Sequence, residues 1–101
     1  MTLVIYEPGG PALEFIGHAG AGLRGSDPVC AALSILMYTL IEALPAAEVR
    51  SGDGWCRVDA SVCRSKSSVK PDVEAAFAVI LCGLRLLADN FPRSVRLEVK
   101  G

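Results

Sequence analysis

The stretch SDPVCAALSILMYTLIEALP, residues 26–45, decides the fold. Asp27 followed by Pro28 reads as a helix start. The carboxylate accepts from first-turn N–H groups that have no partner inside the helix, and proline at the first helical position lacks the N–H that would otherwise be unpaired. Behind this start Val29, Ala32, Leu33, Leu36, Met37, Leu40, Ile41 and Leu44 recur at three- and four-residue steps. That spacing makes a wide apolar stripe on one helix, which ends before Pro45. The charge-free run 28–41 is fourteen residues long. It falls short of the roughly 18–20 residues that cross a bilayer, so this is a core helix and not a membrane span.

Upstream, TLVIY (2–6) reads as a strand, EPGGP (7–11) as a turn and ALEFIGH (12–18) as a second strand with Leu13, Phe15 and Gly17 on one face. A glycine-rich loop, 19–26, leads into the helix. Downstream, AEVRS and GWCRVDASV flank a Gly-Asp-Gly turn at 52–54 and predict a second hairpin, followed by the polar connector 64–70. Pro71 opens a second helix in which Val73, Ala76, Phe77, Ile80, Leu81, Leu84, Leu87 and Ala88 keep helical spacing to about Asn90, and Pro92 forbids continuation. SVRLEVK (94–100) closes the chain as a strand. The order β-β-α-β-β-α-β predicts a two-layer α+β domain, with both helices packed on one face of a mostly antiparallel sheet. The other sheet face, including some of Ile5, Phe15 or Trp55, is expected to be partly apolar and covered by a second copy of the chain.

The chain has 101 residues, 51 % of them apolar and 21 % charged, with a net charge of −1. This is the balance of one small globular domain spanning 1–101, and acids interspersed with bases leave no basic patch for nucleic acid. The N-terminal MTLVIYEPGG has no basic region and no small-residue cleavage site, so a cytosolic protein is expected. Cysteines at 30, 56, 63 and 82 contain no C-x-x-C, and a single histidine cannot complete a zinc finger pattern. No metal is expected. Cys56 and Cys63, seven positions apart on one regular strand, would face opposite ways and could not bond to each other. Free thiols in a reducing compartment fit best.

The chemistry gathers around GHAGAGLRGSDPVCAALS, 17–34, which holds the only histidine, His18, twelve positions before Cys30. With Asp27 as cap, Cys30 stands at the third helical position. There the positive end of the helix dipole favours a thiolate, and the first-turn amides are candidate oxyanion donors. The second strand and the helix start are expected at one edge of the domain. Cysteine as nucleophile and histidine as base, then acid, is the minimal set for acyl transfer. The plainer readings stand beside this one: Cys30 as a small buried hydrophobe, His18 as a surface residue, Asp27 as a cap and nothing more, Ser34 bonded to a carbonyl of its own helix, and the glycines as turn formers. The loop lacks the Lys-Ser/Thr of a phosphate-binding loop. Cys56, Cys63 and Cys82 are given no role.

Gly17, His18, Ala19, Gly20, Gly25, Asp27, Val29, Cys30, Ala31, Ala32 and Ser34 match a pattern of G-H-A-G, a loop with a glycine and an aspartate, then V-C-A-A-x-S. On these residues the chain resembles the ribosomal-processing cysteine protease family (Prp). The segment GLRLLADNFPRSVRLEV is similar to that family's closing helix, aromatic-proline pair and last strand. The resemblance is tight over 13–41 and loose in the middle hairpin.

The resemblance implies a cytosolic homodimer that removes an N-terminal extension from the large-subunit ribosomal protein L-twenty-seven, cutting after an aromatic residue and needing no cofactor. It implies Cys30 as nucleophile and His18 as base and acid. Asp27, Ser34, Gly17, Ala19, Gly20, Gly25 and Ala31 would support the site or bind substrate, with the 19–26 loop closing over the peptide. Two other classes remain open at this stage: a non-catalytic ribosome-associated module or chaperone that holds the same peptide, and a thiol enzyme acting on a small acyl or amide substrate.

Overall fold

A computed structural model describes residues 1–17, 27–64 and 72–101. In chain order the elements are β1 (Thr2–Glu7), β2 (Ala12–Ile16), α1 (Pro28–Ala43), β3 (Glu48–Gly52), β4 (Trp55–Asp59), a single 3-10 turn (Ser61–Arg64), α2 (Val73–Asn90) and β5 (Val95–Val99). The strands form one sheet in the order β3-β4-β2-β1-β5. All neighbours are antiparallel except β1 and β5, which run parallel. The fold is the two-layer α+β domain that the sequence predicts, with the two helices packed together against the sheet.

The register sorts the side chains. Val4 lies opposite Phe15 and Leu13 opposite Val58. These four, with Val95, turn toward the helices and meet Val29, Leu33 and Leu40 of α1 and Phe77, Ile80, Leu81 and Leu84 of α2 in one core cluster. The expectation that Phe15 sits on the far sheet face is therefore corrected: alternation along β2 puts it beside Leu13's face, and it is buried under the helices. Gly83 lets the helices approach closely, since a Cβ there would come within 2.8 Å of the Leu36 Cδ2 atom.

The far face carries Ile5, Glu14, Arg57, Ile16 and Trp55 in adjoining register positions. Here the Arg57 guanidinium donates from both terminal nitrogens to the two carboxylate oxygens of Glu7, at 3.0 and 3.1 Å. Glu14 and Asp59 lie within 3.8 and 3.7 Å of the same guanidinium. The face is thus partly apolar and partly a charge network, both halves open to solvent in the single chain.

Three boundaries differ from the sequence reading. First, β2 ends at Ile16, so Gly17 is a bend and His18 lies outside the described residues. Second, β4 ends at Asp59, not Val62: the Asp59 carboxylate accepts the Ser61 amide at 2.9 Å and folds the chain into the 3-10 turn. Cys63 is consequently buried in the core, and its facing cannot be inferred from a strand shared with Cys56. Third, α2 begins at Val73 after Asp72, whose carboxylate accepts the Ala75 amide at 2.9 Å, so the cap is Asp72. Pro71 and connector residues 65–70 lie outside the described residues. Among the described residues no helix is long and apolar enough to cross a membrane.

Candidate active site

Cys30 is placed by the start of α1. The Asp27 carboxylate oxygen Oδ1 accepts the amide of Val29 at 2.9 Å and the amide of Cys30 at 3.1 Å. The Asp27 carbonyl accepts from Ala31 at 3.0 Å. Pro28 has no N–H, so the whole first turn is fastened to Asp27, which is itself buried. This corrects the expectation that first-turn amides stand ready as oxyanion donors, because those of Val29, Cys30 and Ala31 are already engaged by the cap.

Along α1, Cys30, Leu33, Ser34 and Met37 recur on one side and form one wall of a cleft of about 210 Å³. The other described residues that line it come from the ends of β1, β2 and β4 and the turns beside them: Thr2, Phe15, Gly17, Gly54, Trp55 and Cys56. Cys30, Ser34, Met37 and Cys56 are half-buried, whereas Leu40, the next residue along this side of α1, is completely buried. Of the α1 residues that line the cleft Cys30 is the first and Met37 the last, and beyond Met37 this side of the helix belongs to the core. Burial pushes the Cys56 thiol up from its ordinary range, which keeps that sulfur protonated near neutral pH.

The chain entering the 18–26 segment is held just as firmly. The Gly17 amide donates to the Gly54 carbonyl at 2.7 Å, and the Gly17 carbonyl accepts the buried Thr2 hydroxyl at 3.5 Å. Gly17 has φ of 88°, and a Cβ there would lie 2.8 Å from the Met1 carbonyl oxygen. Only glycine fits that position without strain.

The structure thus brings Cys30, Ser34 and Gly17 to one cleft and fastens Asp27 beneath it. Ala31 is exposed and is not among the cleft-lining residues. His18, Ala19, Gly20 and Gly25, with the rest of the loop over 19–26, lie outside the described residues. Thr2, Met37 and Cys56 were missed as site residues. Met37 is indistinguishable in sequence from the core stripe of α1, and Cys56 reaches the cleft only through the register that sets it opposite Phe15. Cys82 is exposed on α2, far in sequence from these elements, and all four cysteines are free. Among the described residues no group of three or more histidine, cysteine or acidic side chains is arranged to hold a metal ion.

An acyl transfer site needs a nucleophile beside a pocket that grips one side chain of the substrate, and Cys30 is a thiol that lines such a cleft. A family model described as cysteine protease Prp matches residues 11–96. The fold is similar to that of an essential ribosomal processing protease, Prp, from S. aureus in complex with a covalently linked product peptide. The two share 20 % identity with a TM-score of 0.82, covering 99 % of this chain and 100 % of that one. A second structure of the S. aureus protease, in complex with a substrate peptide, is similar at 18 % identity and a TM-score of 0.74, covering 99 % and 100 %. SMU.848 from Streptococcus mutans is 32 % identical with a TM-score of 0.70, covering 97 % of this chain and 90 % of that one. No curated protein sequence matches the chain.

Proposed function

The chain belongs to the cysteine protease Prp family, and on that premise we propose that it removes the N-terminal extension of the large-subunit ribosomal protein L-twenty-seven by cutting after an aromatic residue. The observation that carries the reading is the placement of Cys30 in the lining of a mainly apolar cleft, on a helix turn fixed by Asp27. In this mechanism the Cys30 sulfur attacks the scissile carbonyl carbon and forms the C–S bond. His18 takes the thiol proton and delivers it to the leaving nitrogen as the C–N bond breaks. Water then hydrolyses the thioester, His18 accepting its proton, and Cys30 is restored. Ser34, one turn along α1, is within the cleft to meet the substrate, and no cofactor enters any step.

The same reading makes the enzyme a cytosolic homodimer. The outward residues of the helices favour the helical layer over the sheet as its contact. Ile35 and Val79 are 65 and 70 % exposed, Tyr38 and Leu86 nearly as much, and neither 28–41 nor 75–84 contains a charged residue. Exposed apolar side chains on charge-free stretches of both helices favour burial against a second copy in a symmetric dimer. Val79→Glu is expected to shift the sedimentation mass to the monomer, and an unchanged dimer would remove the helical layer from consideration.

The function is tested by incubating the precursor ribosomal protein with wild type, Cys30→Ala and His18→Ala and following intact masses. Release of a defined N-terminal peptide by wild type only is the expected result. Binding of the precursor without cleavage by wild type would favour a peptide-holding module instead.

A further inference from the structure

We infer that Met37 sets the depth of the cleft and thereby selects the size of the substrate side chain that precedes the scissile bond. The inference rests on the proteolytic reading above and adds to it a residue that determines specificity.

Cys30 and Met37 lie seven positions apart on α1, about 10 Å along the helix axis at 1.5 Å per residue, and nearly on the same face. Between them Leu33 and Ser34 form the wall. Leu33 and Phe15 are almost fully buried and fixed, so their surfaces give the cleft its constant sides. Met37 and Cys56 keep partial exposure into the open space. Past Met37 the helix side is sealed by Leu40, which has no exposed surface. Met37 is therefore the α1 lining residue farthest from Cys30. A flexible, unbranched side chain there lets the cleft adapt to a planar ring or a long aliphatic chain.

The side chain before the scissile bond is the fitting occupant. When the C–N bond breaks, that residue stays attached through its carbonyl to the Cys30 sulfur until water releases it, while the amine side departs. A pocket that begins at the sulfur and grips the acyl side keeps the substrate aligned through both chemical steps. The described lining contributes mainly apolar surface to this grip: among the described residues that line it, only Thr2 and Ser34 carry hydroxyls and none is charged. Such a lining selects a side chain by its size.

The test uses one peptide series carrying alanine, valine, leucine, phenylalanine or naphthylalanine before the cut, with all other positions constant. Cleavage kcat/KM is measured for wild type, Met37→Ala and Met37→Phe. Ratios within each enzyme cancel any general loss of activity, and thermal melts establish that each variant is folded. Met37→Ala deepens the cleft and is expected to raise the naphthylalanine-to-phenylalanine ratio about tenfold, as one or two methylenes do in an apolar pocket. Met37→Phe shortens the cleft and is expected to shift preference about tenfold from phenylalanine toward valine or alanine. Either folded variant alone suffices for the comparison. Ratios equal to wild type in a folded variant overturn the inference while leaving the protease intact. Wild type that cleaves no peptide of the series and no precursor overturns the proteolytic reading, and the inference with it.

Discussion

Replacing Asp27 by alanine removes the two side-chain hydrogen bonds that cap α1 and leaves the backbone bond to Ala31, and its cost follows from the two that are lost. One carboxylate oxygen accepts two amides, at 2.9 and 3.1 Å, and the second of these is the amide of Cys30 itself. Loss of an N-cap costs about 0.5–2 kcal/mol, and a buried cap that serves two amides belongs at the upper end, about 2 kcal/mol. At about 4–8 °C per kcal/mol for a domain of this size, the melting temperature of Asp27→Ala is expected to fall by about 8–16 °C. Asp27→Asn keeps an oxygen in the same place and is expected to fall by no more than about 2 °C, since asparagine caps almost as well as aspartate. The assay is a thermal melt by circular dichroism, with cleavage of the precursor measured on the same samples below both transitions. If the cap is the whole role of Asp27, Asp27→Asn cleaves at close to the wild-type rate. A melting temperature for Asp27→Ala within about 2 °C of wild type would refute the reasoning from the cap. A folded Asp27→Asn that has lost cleavage would show that the charge itself acts, as an orienter of His18 would.

Further outcomes follow from other contacts. Gly17→Ala places a Cβ 2.8 Å from the Met1 carbonyl oxygen in a left-handed conformation, and is expected to cost about 1–3 kcal/mol in a urea melt; an unchanged midpoint would contradict the close approach. Gly83→Val pushes a branched side chain into Leu36 between the helices and is expected to lose about 1–3 kcal/mol, and no loss would show that the helices part freely. The hydrogen bonds from Arg57 hold the Glu7 carboxyl below its usual range, so this stabilisation is present above the unfolded value near 4.3 and is lost as pH falls through the lower folded value. Arg57→Met is therefore expected to melt below wild type at pH 7, by no more than about 1 kcal/mol for a half-exposed pair, and to converge with wild type near pH 3. A gap that widens toward acid would reverse the assignment.

Much of this architecture is legible in the sequence where local chemistry decides it. Asp27-Pro28 and the apolar steps from Val29 to Leu44 define α1 almost to the residue, because cap, proline and stripe all point the same way. At α2 the same two residue types occur in reverse order, and the capping carboxylate of Asp72 overrides the proline that precedes it. Alternation in WCRVDASV continues past the true end of β4, since period-two patterning cannot register that Asp59 turns back to accept the Ser61 amide. Cys30 and its cap Asp27 share one short segment, and their place at the start of α1 is readable from it. The places of Thr2, Met37 and Cys56 are not, because these residues come from separate elements and meet only through sheet register and helix placement. Arg57 and Glu7 are fifty residues apart in sequence and likewise find each other only across the assembled sheet.

The central claim is that proteolysis proceeds through Cys30. It is tested most directly by titrating the enzyme with a peptide chloromethyl ketone that ends in phenylalanine, whose carbon is taken by a nucleophilic sulfur with loss of chloride. The fraction of Cys30 alkylated, read by peptide mass mapping, is then compared with the residual rate of precursor cleavage. The account predicts that the label falls on Cys30 ahead of Cys56, Cys63 and Cys82, and that activity declines in proportion to it. Full alkylation of Cys30 with cleavage undiminished, or loss of cleavage with Cys30 unlabelled, would contradict it.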